Sequence, residues 1–529
     1  MMYKYFSNNI KFKNKNIFLI LFCFVLSFIM LMLCSKCSFL YPFNGWDDFN
    51  SFYTIGSGWA EGLIPYRDLF EQKGPLLYLI FMIGYLISPG KFIGIFFIEV
   101  IFLTINLYFS SKVIDLLIND KKHNNGKYLI LLLYTIMLTT SVSFVTGGSS
   151  EEFNLLFVTI SVFYMIKYFK NSDLIDINYR DLIICGICCG LSLMIKYTTV
   201  GLWFIMMAYI CLKLLKFKRI KEAFLKGIVF IVTMLIPFLI FLIYFYINDS
   251  LYDFLNTYFY INIFKYASDT GFLLNVLKTF PSILSAFFSN IPLVILLYLL
   301  FCYFLYQKWK FNYKFNFNKK IITFCLMILF SLIVLYYGQQ FWPYAITAMF
   351  FIVLLVIIYM YKLFGNYKIF KIMCFVYVLF SFIFSIDYDY MFTDRKNIVQ
   401  YRFADIINKY DNASLLQYRS IDEGFYTASG ILPKNKYFEQ VNMSATKLPE
   451  SYLEQDNLIR NKEVMFVIVR KFDMDRHGGY MDLLTNSKIA FNQRANLDFI
   501  SEYYELVDEY RNEVGYYNSC NYYLFKVKD

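Results

Sequence analysis

Residues 65–75 read PYRDLFEQKGP, and the apolar run LLYLIFMIGYLIS follows at 76–88. The first stretch carries four formal charges: Arg67, Asp68, Glu71 and Lys73. The chain around it is 59% hydrophobic and 17% charged, with a mean hydropathy of +0.49. That composition is wrong for a soluble protein and typical of a membrane protein. A charged stretch that interrupts such a chain indicates a polar site at a membrane surface.

Eleven apolar segments are candidates to cross the hydrocarbon layer, which takes about 20 helical residues. The predicted spans are 17–36, 92–110, 128–145, 153–169, 182–196, 200–215, 226–246, 281–306, 321–338, 341–361 and 372–388. Residues 76–88 are too few to span, so we interpret them as a re-entrant or surface-lying helix. Residues 182–215 are interrupted only by KYTT, which predicts a tight helical hairpin, because one helix of that length would reach about 50 Å.

Basic residues predict the orientation of these spans. With the N-terminus in the cytoplasm, six cytoplasmic segments hold 25 Lys and Arg residues, and four short outer loops hold only Lys196, Lys265 and Lys278. The positive-inside rule strongly favours this partition. The abundance of residues with A/T-rich codons suggests a low-GC bacterium. We therefore expect a multi-pass protein of the bacterial cell membrane, with residues 37–91 as one long first outer loop.

The sequence changes character after residue 388, where charges return and apolar runs shorten. The segments ASLLQYRS, MFVIVRKF and NYYLFKVKD are typical of strands, and YRFADIINKY is typical of a helix. We expect residues 1–388 to form a transmembrane domain and residues 389–529 a small α+β domain outside the cytoplasm. The predicted fold class is an all-α polytopic membrane protein with this α+β domain at its C-terminus.

Several function classes lack support in the sequence. The net charge of +11 is not gathered in a basic patch interleaved with aromatic residues, so we expect no nucleic-acid partner. The two histidines, His123 and His477, are too few for a histidine metal site or a Ser-His-Asp triad. We expect no cofactor. A divalent cation is not indicated, although two carboxylates can hold one together with a substrate phosphate.

Polar residues collect on the predicted outer side of the membrane. They are Asp47 and Asp48, the four charges of 65–75, Glu151 and Glu152 in GGSSEEF, Lys196 in IKYTT, and Gln339 and Gln340 in GQQFWP. Glu99 is the one charge well inside a predicted span. A transporter would more often have several buried charges and interrupted helices in matched halves. The collection of these polar residues at one face of the membrane favours an enzyme whose substrate comes from the lipid.

The first outer loop resembles that of the GT-C glycosyltransferases, the superfamily of protein O-mannosyltransferases and lipid A aminoarabinose transferases. The matching text is GWDDFNSFYTIGSGWAEGLIPYRDLFEQKGPLLYL at 45–79, with an acidic pair near its start and K-G-P near its end. GGSSEEF and KYT also look like later elements of bacterial members. The resemblance covers residues 15–200 well, the later helices loosely and the C-terminal domain hardly at all. It implies a polyprenyl-phosphate sugar donor and an extracytoplasmic acceptor.

The resemblance implies roles for the polar residues. Lys73 and Arg67 would hold the donor phosphate, and Lys196 would add a second cation or snorkel from a helix end. Asp68 and Glu71 would orient these cations or bind sugar hydroxyls, unless PYRDLFEQK is merely a solvated loop of mutually paired charges. Glu151 and Glu152 would bind sugar or acceptor, unless they only balance a helix N-terminus. Gln340 lies where many relatives carry a His-Tyr pair.

The acidic pair would supply the general base. Relatives have the key aspartate four residues before an aromatic residue, a spacing that fits Asp48 with Phe52 and does not fit Asp47 with Ser51. Asp47 would then support Asp48 or bind the acceptor. The alternative is that both aspartates cap the helix that follows. At the level of the whole protein, the alternatives to an inverting glycosyltransferase are a transporter or flippase of lipid-linked sugars and a polytopic scaffold whose outer domain binds a partner.

Overall fold

The computed structural model describes residues 2–118, 124–141, 144, 146–170, 177–266, 350–364, 368–472, 495–512 and 520–528, with a few isolated positions between 294 and 309. These residues are mostly helical, and their packing divides them into two compact units. Unit 1 takes its residues from 1–38, 96–241 and 268–386, and unit 2 takes its residues from 39–95, 242–267 and 387–529.

Helices account for most of the described residues up to 386. In chain order they are α1 (Met2–Cys34), α2 (Asp47–Ala60), α3 (Pro75–Ile87), α4 (Ile93–Leu117), α5 (Asn124–Thr139), α6 (Ser150–Lys170), α7 (Tyr179–Leu193), α8 (Gly201–Lys216), α9 (Ile220–Ile247), α10 (Leu251–Phe254), α11 (Phe350–Phe364) and α12 (Lys368–Ser385). A 3-10 turn at Tyr197–Val200 precedes α8, and a π-helix at Leu255–Lys265 follows α10.

Five helices among the described residues are long and apolar enough to cross a membrane: Asn16–Cys34, Ile93–Leu117, Ser150–Lys170, Tyr197–Lys216 and Ile220–Ile247. Shorter apolar helices are Pro75–Ile87, Gly126–Thr139, Phe350–Lys362 and Phe370–Ile383. The chain is a multi-pass membrane protein, as its composition predicts. The predicted spans 281–306 and 321–338, and the first part of 341–361, lie outside the continuously described ranges.

Residues 76–88 and 182–215 form helices, as the sequence predicts. The chain breaks after Leu193 and resumes a regular α-helix at Gly201, which matches the interruption by KYTT. The short apolar run 76–88 forms α3, with Pro75 at its start, where a missing backbone N–H costs nothing. Its position relative to the membrane stays a prediction.

In unit 2, helices α2 and α3 pack closely against each other. A Cβ atom at Gly56 would lie 2.7 Å from the backbone carbonyl carbon of Phe81, so only glycine allows this approach. The ring of Phe81 meets the rings of Phe49 and Phe52 edge to face, at centroid distances of 5.2 and 5.6 Å. These contacts fix the helix that begins at the acidic pair.

The C-terminal part of unit 2 is a mixed α+β structure, as predicted. Its helices are α13 (Tyr388–Met391), α14 (Val399–Ile407), α15 (Phe425–Ser429), α16 (Pro449–Arg460) and α17 (Leu497–Tyr503). Its strands are β1 (Leu415–Gln417), β2 (Phe466–Phe472), β3 (Tyr504–Asn512) and β4 (Cys520–Val527), in the order β1-β2-β4-β3. The first pair is parallel and the other two pairs are antiparallel.

The predicted strand segments correspond to β1, β2 and β4. β3 was not predicted, because its sequence YELVDEYRN is polar and its central residues are largely exposed at the sheet edge. The two compact units are not consecutive in the chain, because the first outer loop and the C-terminal segment both lie in unit 2. The division of the chain into a domain 1–388 and a domain 389–529 stays a prediction.

Candidate active site

Asp47 and Asp48 form the first turn of α2, and both are half-buried. The N-cap position is Trp46, which makes no side-chain capping bond, while the backbone N–H of Asp48 donates to Asp47 Oδ1 at 2.9 Å. The aspartates therefore do not occupy the N-cap position, although the positive end of the helix dipole favours their charge.

The two aspartates lie on different faces of α2, because successive helical residues diverge by about 100°. Asp48 shares a face with Phe52, four residues later, and the Lys73 ammonium lies 5.2 Å from the centre of the Phe52 ring. Asp47 shares a face with Ser51 and Thr54, whose hydroxyls contact the C-terminal segment. Asp48 is thus the member of the pair on the Lys73 side of the helix.

Lys73 is held just before α3 by a compact set of polar contacts. Its Nζ donates to Glu71 Oε1 at 3.2 Å, and its backbone N–H donates to Glu71 Oε2 at 2.8 Å. Tyr66 donates its hydroxyl to the Lys73 carbonyl at 2.7 Å, and Tyr78 donates its hydroxyl to Glu71. Burial alone would lower the pKa of Lys73, but the negative charges of Glu71 and Asp48 raise it above its usual value. The side chain is a permanent cation in a mostly enclosed position.

Arg67 and Asp68 pair with each other at the surface. The guanidinium donates from Nε to Asp68 Oδ1 at 2.8 Å and from a terminal nitrogen to Oδ2 at 2.9 Å, and it also donates to the carbonyl of Asn248 at 3.0 Å. The hydrogen bonds from Arg67 lower the pKa of Asp68, and its Oδ2 also accepts from the backbone N–H of Ile64. The bidentate fork of Arg67 is committed to this carboxylate, while Lys73 is the more buried cation.

Two further carboxyl groups reach α2 from the C-terminal segment, and sequence reasoning missed them. Ser51 Oγ donates to Glu439 Oε1 at 2.6 Å, and Thr54 Oγ1 donates to Asp422 Oδ2 at 2.5 Å. Burial raises the pKa of Glu439 well above its usual value, and it raises the pKa of Asp422 to about 6. The one local signal is the run DEG at 422–424, which includes Asp422 but not Glu439.

Glu423, beside Asp422, forms a buried ion pair with Arg470 of β2. The two side chains approach to 2.9 Å and are almost completely enclosed. Burial raises the pKa of Glu423 to about 7, and the charge of Arg470 opposes this shift. The pair ties the 422–424 turn to β2, one of the two inner strands of the sheet.

The remaining acidic pair lies in unit 1, at the start of α6. Lys196 Nζ donates to Glu151 Oε1 at 2.5 Å, and the Glu151 side chain is only 1% exposed. Both carboxylate oxygens of Glu152 are buried and make no hydrogen bond within the described residues. Glu151 and Lys196 therefore form an ion pair, which the sequence did not predict. That this ion pair belongs to the same site as Asp48 and Lys73 stays a prediction.

Glu99 is held beside the same turn of unit 1. Its carboxylate accepts from Ser35 Oγ at 2.8 Å and from the Gly148 backbone N–H at 2.6 Å. Gly147 has φ of +72°, and a Cβ atom there would lie 2.9 Å from Glu99 Oε1. Gly147, the first glycine of GGSSEEF, is needed for this close approach.

Two predictions about the site concern other parts of the chain. Gln340 lies outside the described residues. Within the described part of the chain, no group of three or more His, Cys, Asp or Glu side chains is arranged to hold a metal ion. The expectations about cofactors and metal stay predictions.

No family model and no curated protein matches the chain. Among solved structures it is similar to ArnT from Cupriavidus metallidurans bound to undecaprenyl phosphate, with a TM-score of 0.56, 10% identity, and coverage of 96% of this chain and 97% of that one. It is also similar to the archaeal oligosaccharyltransferase AglB from Archaeoglobus fulgidus in complex with an inhibitory peptide and a dolichol-phosphate, with a TM-score of 0.48, 10% identity, and coverage of 94% and 73%. The likeness to ArnT shows that the chain shares the fold of that protein, which confirms the predicted fold class.

Proposed function

We propose that this chain is an integral-membrane, inverting glycosyltransferase that moves one sugar from a polyprenyl-phosphate donor to an acceptor outside the cytoplasm. The fold likeness to ArnT bound to undecaprenyl phosphate supports a lipid-phosphate substrate. The observation that carries the proposal is the enclosed ammonium of Lys73, which lies on the same side of α2 as the Asp48 carboxylate. A cation and a carboxylate so arranged suit a leaving phosphate and an attacking hydroxyl.

Lys73 would bind the donor phosphate at the membrane surface. Its ammonium precedes the N-terminus of α3, whose dipole also favours an anion. The Glu71 carboxylate keeps the ammonium in place, because it accepts hydrogen bonds from both the side chain and the backbone N–H of Lys73. As the glycosidic bond breaks, negative charge grows on the phosphate, so a fixed cation stabilises the transition state more than the bound donor.

Asp48 would act as the general base. Its carboxylate takes the proton of the acceptor hydroxyl while the hydroxyl oxygen attacks the anomeric carbon. The bond from that carbon to the phosphate oxygen breaks, and its electron pair stays on the phosphate beside Lys73. One displacement on the face opposite the leaving group inverts the anomeric centre and releases the polyprenyl phosphate.

The other polar residues would bind substrate or support these two groups. Asp47 would orient Asp48, and the Arg67–Asp68 pair would shape the loop in front of Lys73. Glu151, Glu152 and Gln340 would bind the donor sugar or the acceptor, and Lys196 would add a second cation for the donor phosphate. We place the site and the C-terminal segment outside the cytoplasm of a bacterium, with the N-terminus inside, on the distribution of basic residues.

The decisive experiment offers purified protein a panel of polyprenyl-phosphate hexoses and pentoses and measures release of the lipid phosphate. We expect release with one sugar class, and loss of release in Lys73→Ala. Lys436→Ala is a matched control, because Lys436 is also ion-paired in unit 2, with Asp253. In vesicles, movement of the intact donor across the bilayer without cleavage would instead identify a flippase.

A further inference from the structure

Helix α2 is held by the C-terminal segment through two hydroxyl groups on one of its faces. Ser51 and Thr54 are three residues apart and therefore point in similar directions. Each donates to a carboxyl that is almost fully enclosed, Ser51 to Glu439 at 2.6 Å and Thr54 to Asp422 at 2.5 Å. Asp47 continues the same face one turn earlier, at the helix start.

Glu439 is also hydrogen-bonded to the backbone of Asp422. The second oxygen of Glu439 accepts from the Asp422 backbone N–H at 2.7 Å, and the second oxygen of Asp422 accepts from the Gly424 N–H at 2.8 Å. Gly424 has φ of +91°, and a Cβ atom there would lie 2.7 Å from Asn50 Oδ1. Every carboxyl oxygen of Asp422 and Glu439 thus has a partner, and the 422–424 turn lies tightly against α2.

We propose that Asp422 and Glu439 are positioning residues that hold α2, and with it the aspartates of its first turn, in the geometry for reaction. Their role in turnover rests on the proposed function, whereas their hold on the helix does not. A helix that begins without a side-chain cap needs such lateral contacts to fix its first turn. Because Asp48 follows Asp47 directly, a rotation of α2 about its axis would move the base away from the Lys73 side.

Burial of two carboxyls is costly unless each is hydrogen-bonded or neutral. Glu439 has a strongly raised pKa because of burial, with the charges of Glu71 and Asp422 adding to the shift. A neutral carboxyl can be mimicked by glutamine, whose amide oxygen can accept from the Asp422 N–H while its NH2 group donates to Ser51 Oγ. Alanine can do neither. The two substitutions therefore separate positioning from acid-base chemistry.

The experiment compares Glu439→Ala with Glu439→Gln, and Thr54→Val with Thr54→Ser, in the full-length protein. Hydrogen exchange over residues 47–60 reports the hold on α2. Lipid-phosphate release reports turnover, and binding of undecaprenyl phosphate reports affinity for the lipid carrier. Tyr504→Phe is the matched control, because it removes a buried hydrogen bond of the same segment, to the Val464 carbonyl, without touching α2.

We expect Glu439→Ala and Thr54→Val to exchange about tenfold faster over 47–60, since each loses a buried hydrogen bond. Their kcat should fall about tenfold or more with unchanged binding of undecaprenyl phosphate. Glu439→Gln, Thr54→Ser and the control should stay near wild type. Unchanged exchange in Glu439→Ala would disprove the hold on α2, whatever reaction the chain performs. A folded Glu439→Gln as inactive as Glu439→Ala would disprove positioning and make Glu439 a direct participant.

Discussion

The ammonium nitrogen of Lys73 lies 3.2 Å from a carboxylate oxygen of Glu71, two residues earlier in the chain. The same carboxylate also accepts from the Lys73 backbone N–H and from the hydroxyl of Tyr78. These contacts restrict the Lys73 side chain, so its ammonium has a fixed position before a substrate binds. Such preorganisation is what stabilises a developing charge most effectively.

Replacement of Lys73 by alanine should abolish most of the activity. Loss of one fixed charge contact to the leaving phosphate should cost about 2 to 4 kcal/mol in the transition state, or about 30- to 900-fold in kcat/KM. Steady-state release of lipid phosphate measures this, with Lys436→Ala as the control. Wild-type turnover and donor affinity in Lys73→Ala would show that the phosphate binds elsewhere.

Asp48→Asn should fold, insert and bind donor, while turnover falls by about 10² or more, because asparagine keeps the shape and loses the basicity. Asp47→Asn should lose less, since Asp47 faces the C-terminal segment and not Lys73. Turnover of the two variants, measured with the same donor, shows which aspartate is the general base. If Asp47→Asn is inactive and Asp48→Asn is nearly normal, the base is Asp47; activity in both removes this helix start from the chemistry.

Lys196→Met should destabilise unit 1 by about 3 to 5 kcal/mol, because it leaves the buried Glu151 carboxylate uncompensated. The double variant Lys196→Met with Glu151→Gln should recover most of this loss, since no charge is then left buried. Thermal unfolding of the three proteins in detergent measures the coupling. Additive losses would mean that the ion pair does not carry the stability of this turn.

Asp422 should make the protein less stable as the pH rises. Its folded-state pKa of about 6 lies above the ordinary value of 3.8, so the folded chain holds this proton more tightly than the unfolded chain does. The stabilisation is complete below pH 4 and is lost as the pH rises through 6, by about 3 kcal/mol in total. Asp422→Asn should remove this component. Parallel pH profiles of the unfolding midpoint for wild type and variant would contradict the assignment.

The orientation can be tested with exposed positions on each predicted side. In an otherwise cysteine-depleted chain, a cysteine replacing Asp405 of α14 should react with an impermeant reagent in intact cells. A cysteine replacing Lys216, at the end of α8, should react only after permeabilisation, because the basic segments lie inside. Labelling of position 216 from outside would invert the topology and move the proposed site to the cytoplasm.

The sequence was informative wherever one local pattern determines the outcome. Apolar length predicted the five described helices that are long enough to cross a membrane, and KYTT predicted the break before α8. Asp422 and Glu439 could not be found in this way, because 368 and 388 residues separate them from Thr54 and Ser51. No local pattern encodes which buried carboxyl meets which hydroxyl, since that pairing is a product of packing. β3 was missed because an exposed edge strand lacks strong apolar alternation.

The contacts of α2 with Asp422 and Glu439 also impose an order on biosynthesis. Thr54 emerges from the ribosome 368 residues before its partner, and a ribosome adds roughly 5 to 20 residues per second, so the helix waits roughly 20 to 70 s. During that interval its hydroxyl face has neither carboxyl to accept from it. The nascent protein can therefore insert most of its membrane helices before Asp422 and Glu439 have been made, and α2 can form these contacts only after both residues have emerged.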